Sequence, residues 1–97
     1  MAGELSVRWS AQADRAAGEM AAFIASQWTE KEVKHFLDLL EEFERRVVRF
    51  PFSFPASEGY AGCRRASIHR NASVVYRVDE GIIHIVTVVD NRSSKTR

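Results

Sequence analysis

Leu5, Val7 and Trp9 alternate with Ser6, Arg8 and Ser10 near the start of the chain. A period of two sends one set of side chains to a core and the other to solvent, which predicts a short first strand. The period then lengthens. Ala13, Ala16, Ala17, Met20, Phe23, Ile24 and Trp28 recur at three- and four-residue spacing behind Ser10, a residue suited to cap a helix, so a first helix is predicted over about residues 11–27. Thr29-Glu30-Lys31-Glu32 has the capping-box form, in which the Thr29 hydroxyl and the Glu32 carboxylate each satisfy a backbone donor at a helix start. The second helix carries one apolar stripe, Val33, Phe36, Leu37, Leu40, Phe43 and Val47, with Lys34, Asp38, Glu41, Glu42 and Arg45 away from it, and Pro51 ends it.

So short a connection between two helices favours an antiparallel hairpin whose stripes face a common layer. Residues 51–62, PFSFPASEGYAG, hold two prolines and two glycines and fit neither period, which predicts an ordered loop. Three segments of strand character follow at residues 63–68, 73–78 and 82–89, separated by His69-Arg70-Asn71-Ala72 and by Asp79-Glu80-Gly81 as hairpin turns. The last segment is apolar on both faces, as for a central strand covered by the helices on one side and, in part, by a partner on the other. Residues 91–97, NRSSKTR, read as a mobile basic tail. The expected fold is α+β in the order β-α-α-β-β-β, an N-terminal strand and an antiparallel two-helix hairpin packed on a small antiparallel sheet.

Ninety-seven residues with 45% hydrophobic content suffice for one core, and a single domain over residues 1–97 is expected. The opening MAGELSVRWS lacks the basic start and apolar run of a secretory signal, and no later run reaches membrane-spanning length, which points to a cytoplasmic protein without a membrane partner. Cys63 is alone, so neither an internal disulfide nor a thiolate set for zinc is possible. Net charge is +1 but polarised: residues 1–62 carry 7 Lys/Arg against 10 Asp/Glu, and residues 63–97 carry 7 against 3. A basic C-terminal half suits phosphate or an acidic protein, although an excess of this size also arises from a solvated face.

No Gly-rich phosphate loop, His-x-x-x-His pair, Cys pair or Gly-x-Ser-x-Gly elbow is present, and neither a cofactor nor a metal is implied. Glu41, Glu42 and Glu44 fit the solvated face of a helix better than a carboxylate pair. His84, inside the apolar strand, reads as a core residue, whereas His69, in a turn with Arg70 and Asn71, is a candidate general base or phosphate ligand. Arg64, Arg65, Arg77 and Arg92 lie on adjacent strands or just past the last one. Guanidinium groups bind phosphoryl oxygens bidentately but do not serve as bases, so these arginines suit binding better than proton transfer. Alternation sends Arg64 and Arg65 to opposite faces, and solubilising edge charge is the competing explanation for them.

Taken in order, VRWSAQADRAAGEMAAFI, then HFLDLLEEFERRVVRFP, then CRRASIHRNASVVYRVDEGIIHIVTVVDNR resemble the RelE/ParE superfamily of toxins from type II toxin-antitoxin systems. The match spans nearly the whole chain, and its most specific part is the close: VVYRV, the turn DEG, IIHIVTVV and Arg92. The resemblance implies a helical hairpin on a sheet, growth inhibition by the free toxin, plasmid stabilisation, and a cognate antitoxin whose C-terminal segment wraps the toxin in a hetero-oligomer. RelE-like members are mRNA endoribonucleases acting on the ribosome through a basic cluster, and ParE-like members inhibit DNA gyrase. By resemblance, Arg64 matches the basic position on the strand after the loop and Arg92 the one after the final strand, while Arg77 and His69 are further candidates. Ala66 and Ser73 stand where a ribonuclease would carry more basic residues, and no aromatic follows Arg92, so ParE-like action on gyrase is favoured over ribonuclease activity or a non-toxic interaction module.

Overall fold

The computed structural model describes residues 5–92. Strand β1, Ser6–Trp9, puts Val7 and Trp9 against the core and leaves Ser6 and Arg8 exposed. Helix α1, Ala11–Gln27, begins at Ser10, whose hydroxyl accepts a hydrogen bond from the Ala13 amide at 2.9 Å and donates to the Val86 carbonyl at 2.8 Å. This one side chain both caps the helix and fastens it to the sheet. Helix α2, Glu30–Arg49, buries Phe36, Leu40, Phe43 and Val47 from its apolar stripe.

At the start of α2 the structure departs from the expected capping box. The Thr29 side chain makes no capping hydrogen bond, and its backbone carbonyl instead accepts from the amides of Glu32 and Val33. The Glu32 carboxylate is drawn away to His69, which offers it a buried ring nitrogen rather than an exposed backbone amide. We therefore expect Ser10→Ala to cost about 1–2 kcal/mol of unfolding free energy and Thr29→Ala less than about 0.5 kcal/mol, read from urea denaturation midpoints.

The remaining strands are β2, Arg64–His69, β3, Ala72–Asp79, and β4, Ile82–Asp90. They pair antiparallel, and β1 joins parallel to β4, giving a four-stranded mixed sheet in the order β1-β4-β3-β2. Strand β4 is thus internal, which is why residues of both its faces are apolar. The β3–β4 turn places Glu80 at φ 51° and Gly81 at φ 81°, the paired positive angles that match a two-residue connection to the twist of its strands.

One core joins the layers: Ala13, Met20 and Ile24 of α1 and the α2 stripe meet Ala66, Val74, Tyr76, Ile83, Ile85 and Val88. Trp9 reaches across from β1 and donates its indole N–H to Glu44 of α2. The loop over residues 51–62 is ordered against β2: the Arg65 amide donates to the Pro55 carbonyl at 2.9 Å and Ala56 bridges to Arg64. Part of the expected mobile tail is likewise tied down, because Asn91 accepts from Arg65 at 2.9 Å and from Ser73 at 2.7 Å and donates to the His69 carbonyl at 3.1 Å. The rest of that tail, residues 93–97, lies outside the described residues. No described helix is long and apolar enough to cross a membrane.

Candidate functional site

The four residues singled out from the sequence occupy four different settings. Arg64 pairs with Tyr76 on the helix side of the sheet, where its guanidinium donates to the carbonyl oxygens of Phe54 at 2.6 Å and Phe52 at 3.3 Å and lies over the Phe52 ring. It holds the 51–62 loop in place. Arg77 lies on the opposite face and touches Asp79 at 3.3 Å, both side chains being half exposed.

Arg92 grips its neighbour. Its Nε and Nη2 donate to the two carboxylate oxygens of Asp90 at 3.0 and 2.6 Å, and its guanidinium sits 3.9 Å above the Phe23 ring of α1. The Arg92 hydrogen bonds hold the Asp90 carboxyl below the usual carboxylate range, against the opposing effect of its partial burial.

His69 is buried at the end of β2. Its Nδ1 accepts from the Asn71 amide at 3.1 Å, so in the neutral ring the proton is assigned to Nε2, which donates to Glu32 at 3.1 Å. Phe36 packs edge-on at 5.8 Å and the His35 ring lies 6.1 Å away. Both ring nitrogens are engaged within the chain, leaving neither lone pair nor N–H directed at a ligand. Beside it the Asn71 side chain is buried, with its Nδ2 unpaired among the described residues.

The structure therefore does not gather Arg64, Arg77, Arg92 and His69 into one catalytic cluster. It gathers other basic residues instead, on the sheet face turned away from the helices. Register aligns Arg8 of β1 with His84 of β4, and His84 with Arg77 of β3. Each is flanked in sequence by residues that pack into the core, which sends all three to the opposite face. An open groove of about 510 Å³ is lined by this row together with Ser10, Gln12 and Val86.

Further along the same face, Arg65 pairs with Val75 and overlooks a cleft of about 630 Å³ between the loop residues Phe54 and Pro55, the strand residues Ser67 and Ser73, and Asn91 just past β4. Arg8 was overlooked in the sequence because its partner strand lies 76 residues away at His84, and no local pattern announces a parallel pairing. Asn91 reads as tail from the sequence because its anchoring needs the β2–β3 turn to be folded beside it. Among the described residues no group of three His, Cys, Asp or Glu side chains is placed to hold a metal ion.

Residues 7–94 match the model of the ParE toxin family of the type II toxin-antitoxin system parDE. No curated protein sequence matches significantly. Among solved structures, the chain is similar to one of the chromosomal ParDE TA system from P. aeruginosa, with a TM-score of 0.72 and 21% identity over 90% of this chain and 96% of the other. It is also similar to one of the toxin-antitoxin complex RelBE2 from Mycobacterium tuberculosis, with a TM-score of 0.64 and 18% identity over 93% and 94% of the two chains. A third, the E. coli DinJ-YafQ complex, aligns with a TM-score of 0.59 at 9% identity over 93% and 97%. At such identities these structures establish the shared β-α-α-β-β-β fold, and the family match over residues 7–94 establishes the rest: the chain belongs to the ParE toxin family of type II toxin-antitoxin systems.

Proposed function

We propose that this toxin acts by binding a protein target, DNA gyrase, and that a cognate antitoxin neutralises it. The observation that carries this reading is the separation of the arginine and histidine candidates, each occupied by a partner in its own chain: Arg64 by the loop carbonyls, Arg92 by Asp90, and His69 by Glu32 and the Asn71 amide. Strand-cleaving chemistry on RNA requires a group that takes the 2′-hydroxyl proton and cations that meet the phosphoryl oxygens at the same point. At Arg64, Arg92 and His69 the groups are dispersed and satisfied, which suits recognition instead. A net charge of +1 agrees, since nucleic-acid affinity grows with the number of phosphates neutralised. The antitoxin enters from the similar structures, which are of toxin-antitoxin systems.

The test is a supercoiling reaction with purified gyrase. Supercoiling should fall progressively with added toxin and recover on addition of the antitoxin, while reporter mRNA on translating ribosomes stays intact. Full supercoiling at saturating toxin, or cleavage of the reporter, overturns the proposal.

A further inference from the structure

We propose that the row Arg8–His84–Arg77 is a docking surface for an acidic protein segment, whose side-chain carboxylates lie across the three strands. Directly opposed residues on neighbouring strands hold their Cβ atoms about 4.5–5.5 Å apart, so polar side chains on three successive strands form one continuous row. Here two arginines flank a histidine across β1, β4 and β3. Among the described residues the side chains of Arg8 and His84 have no hydrogen-bond or ion-pair partner, and of the three only Arg77 has a carboxylate, Asp79, at 3.3 Å. A guanidinium left without a carboxylate among the described residues, as at Arg8, can receive one from a partner.

The shape of the site fits the same occupant. The row lines an open groove of about 510 Å³ in which Ser10, Gln12 and Val86 supply polar and apolar walls beside the cations. On the same face Arg65 extends the basic band to β2, its Nη2 donating to the Asn91 side chain, with Glu58 lining the cleft beside it. A band one strand-spacing wide per cation spans a few carboxylates. It is too short for a polyphosphate backbone, whose binding rests on many simultaneous contacts. The surface is distinct from the environments of Arg64, Arg92 and His69 and does not depend on which protein the toxin inhibits.

The test uses the full chain and a fluorescein-labelled oligoglutamate peptide, with a labelled thymidine oligonucleotide of equal length as the competing probe, by fluorescence anisotropy at low salt. The peptide should bind, and the double variant R8A/R77A should weaken it roughly tenfold or more, as expected for two lost solvent-facing ion pairs. R15A/R45A removes the same charge from exposed positions on the helices and should leave peptide affinity within about twofold of wild type. Peptide binding that is absent, or that falls equally in both double variants, overturns the proposal. So does tighter binding of the oligonucleotide that is lost in R8A/R77A, which would assign the row to phosphate. Unchanged far-UV circular dichroism identifies the effect as one on binding rather than folding.

Discussion

Tyr76→Ala is expected to lower the unfolding free energy by about 3–5 kcal/mol, the range for removing a large aromatic side chain from a core that cannot collapse around the space. Tyr76 is fully buried in the middle of β3, with the Phe43 and Phe54 rings at 5.6 and 6.2 Å. Its hydroxyl donates to the Pro51 carbonyl at 2.6 Å, so it joins α2, the sheet and the start of the 51–62 loop at one point. Tyr76→Phe keeps the ring and deletes only that bond, at a cost of about 1–2 kcal/mol. Equilibrium urea unfolding separates the two, and equal losses would mean that packing around the ring contributes nothing beyond the hydrogen bond.

The same residue sets an alkaline limit. Burial raises the Tyr76 pKa above its ordinary value of 10.0, with the Arg64 charge acting weakly in the other direction. Between the ordinary and the raised value the unfolded chain has already released this proton while the folded chain retains it. Stability from the neutral phenol is therefore complete below pH 10.0 and declines as pH rises through the folded value. The wild-type stability curve should fall more steeply above that pH than the Tyr76→Phe curve.

His69→Ala is the second large effect, about 2–3 kcal/mol, because the change removes the shared partner of two groups rather than a single contact. It leaves the Asn71 amide without its acceptor in a buried turn and Glu32 without its donor at the start of α2. At a temperature where the variant is fully folded, its inhibition of growth should match wild type, since the ring fastens the helix to the hairpin and faces no target. Full loss of activity in a folded His69→Ala protein would instead make the imidazole a reacting group.

The elements of this fold were legible wherever side-chain periodicity is local. The α1 and α2 stripes, the two hairpins and the ordered loop follow from spacing along a few turns or strands, and so does the internal position of the doubly apolar β4. What spacing does not hold is the identity of distant partners. Glu32 satisfies the pattern of a capping box and still binds His69, 37 residues on, because a buried imidazole competes better for it than a solvated amide does. Arg64 and Arg65 were correctly expected on opposite faces, yet only the assembled register shows that Arg65 joins Arg77 and that Arg64 is bound up in the loop. The superfamily was readable from the order of segments, whereas the convergence of Arg8, His84 and Arg77 required a pairing between the two ends of the chain.

That pairing governs the order in which the sheet assembles. Ser6 has no strand to bind until Ile82 is in place beside it, and the Ser10 hydroxyl has no acceptor until Val86 is. Loop closure over such a separation comes late in folding, after the local β2–β3 and β3–β4 pairings. The basic row across β1, β4 and β3 consequently comes into existence only once β1 has docked on β4, after the local hairpins are in place.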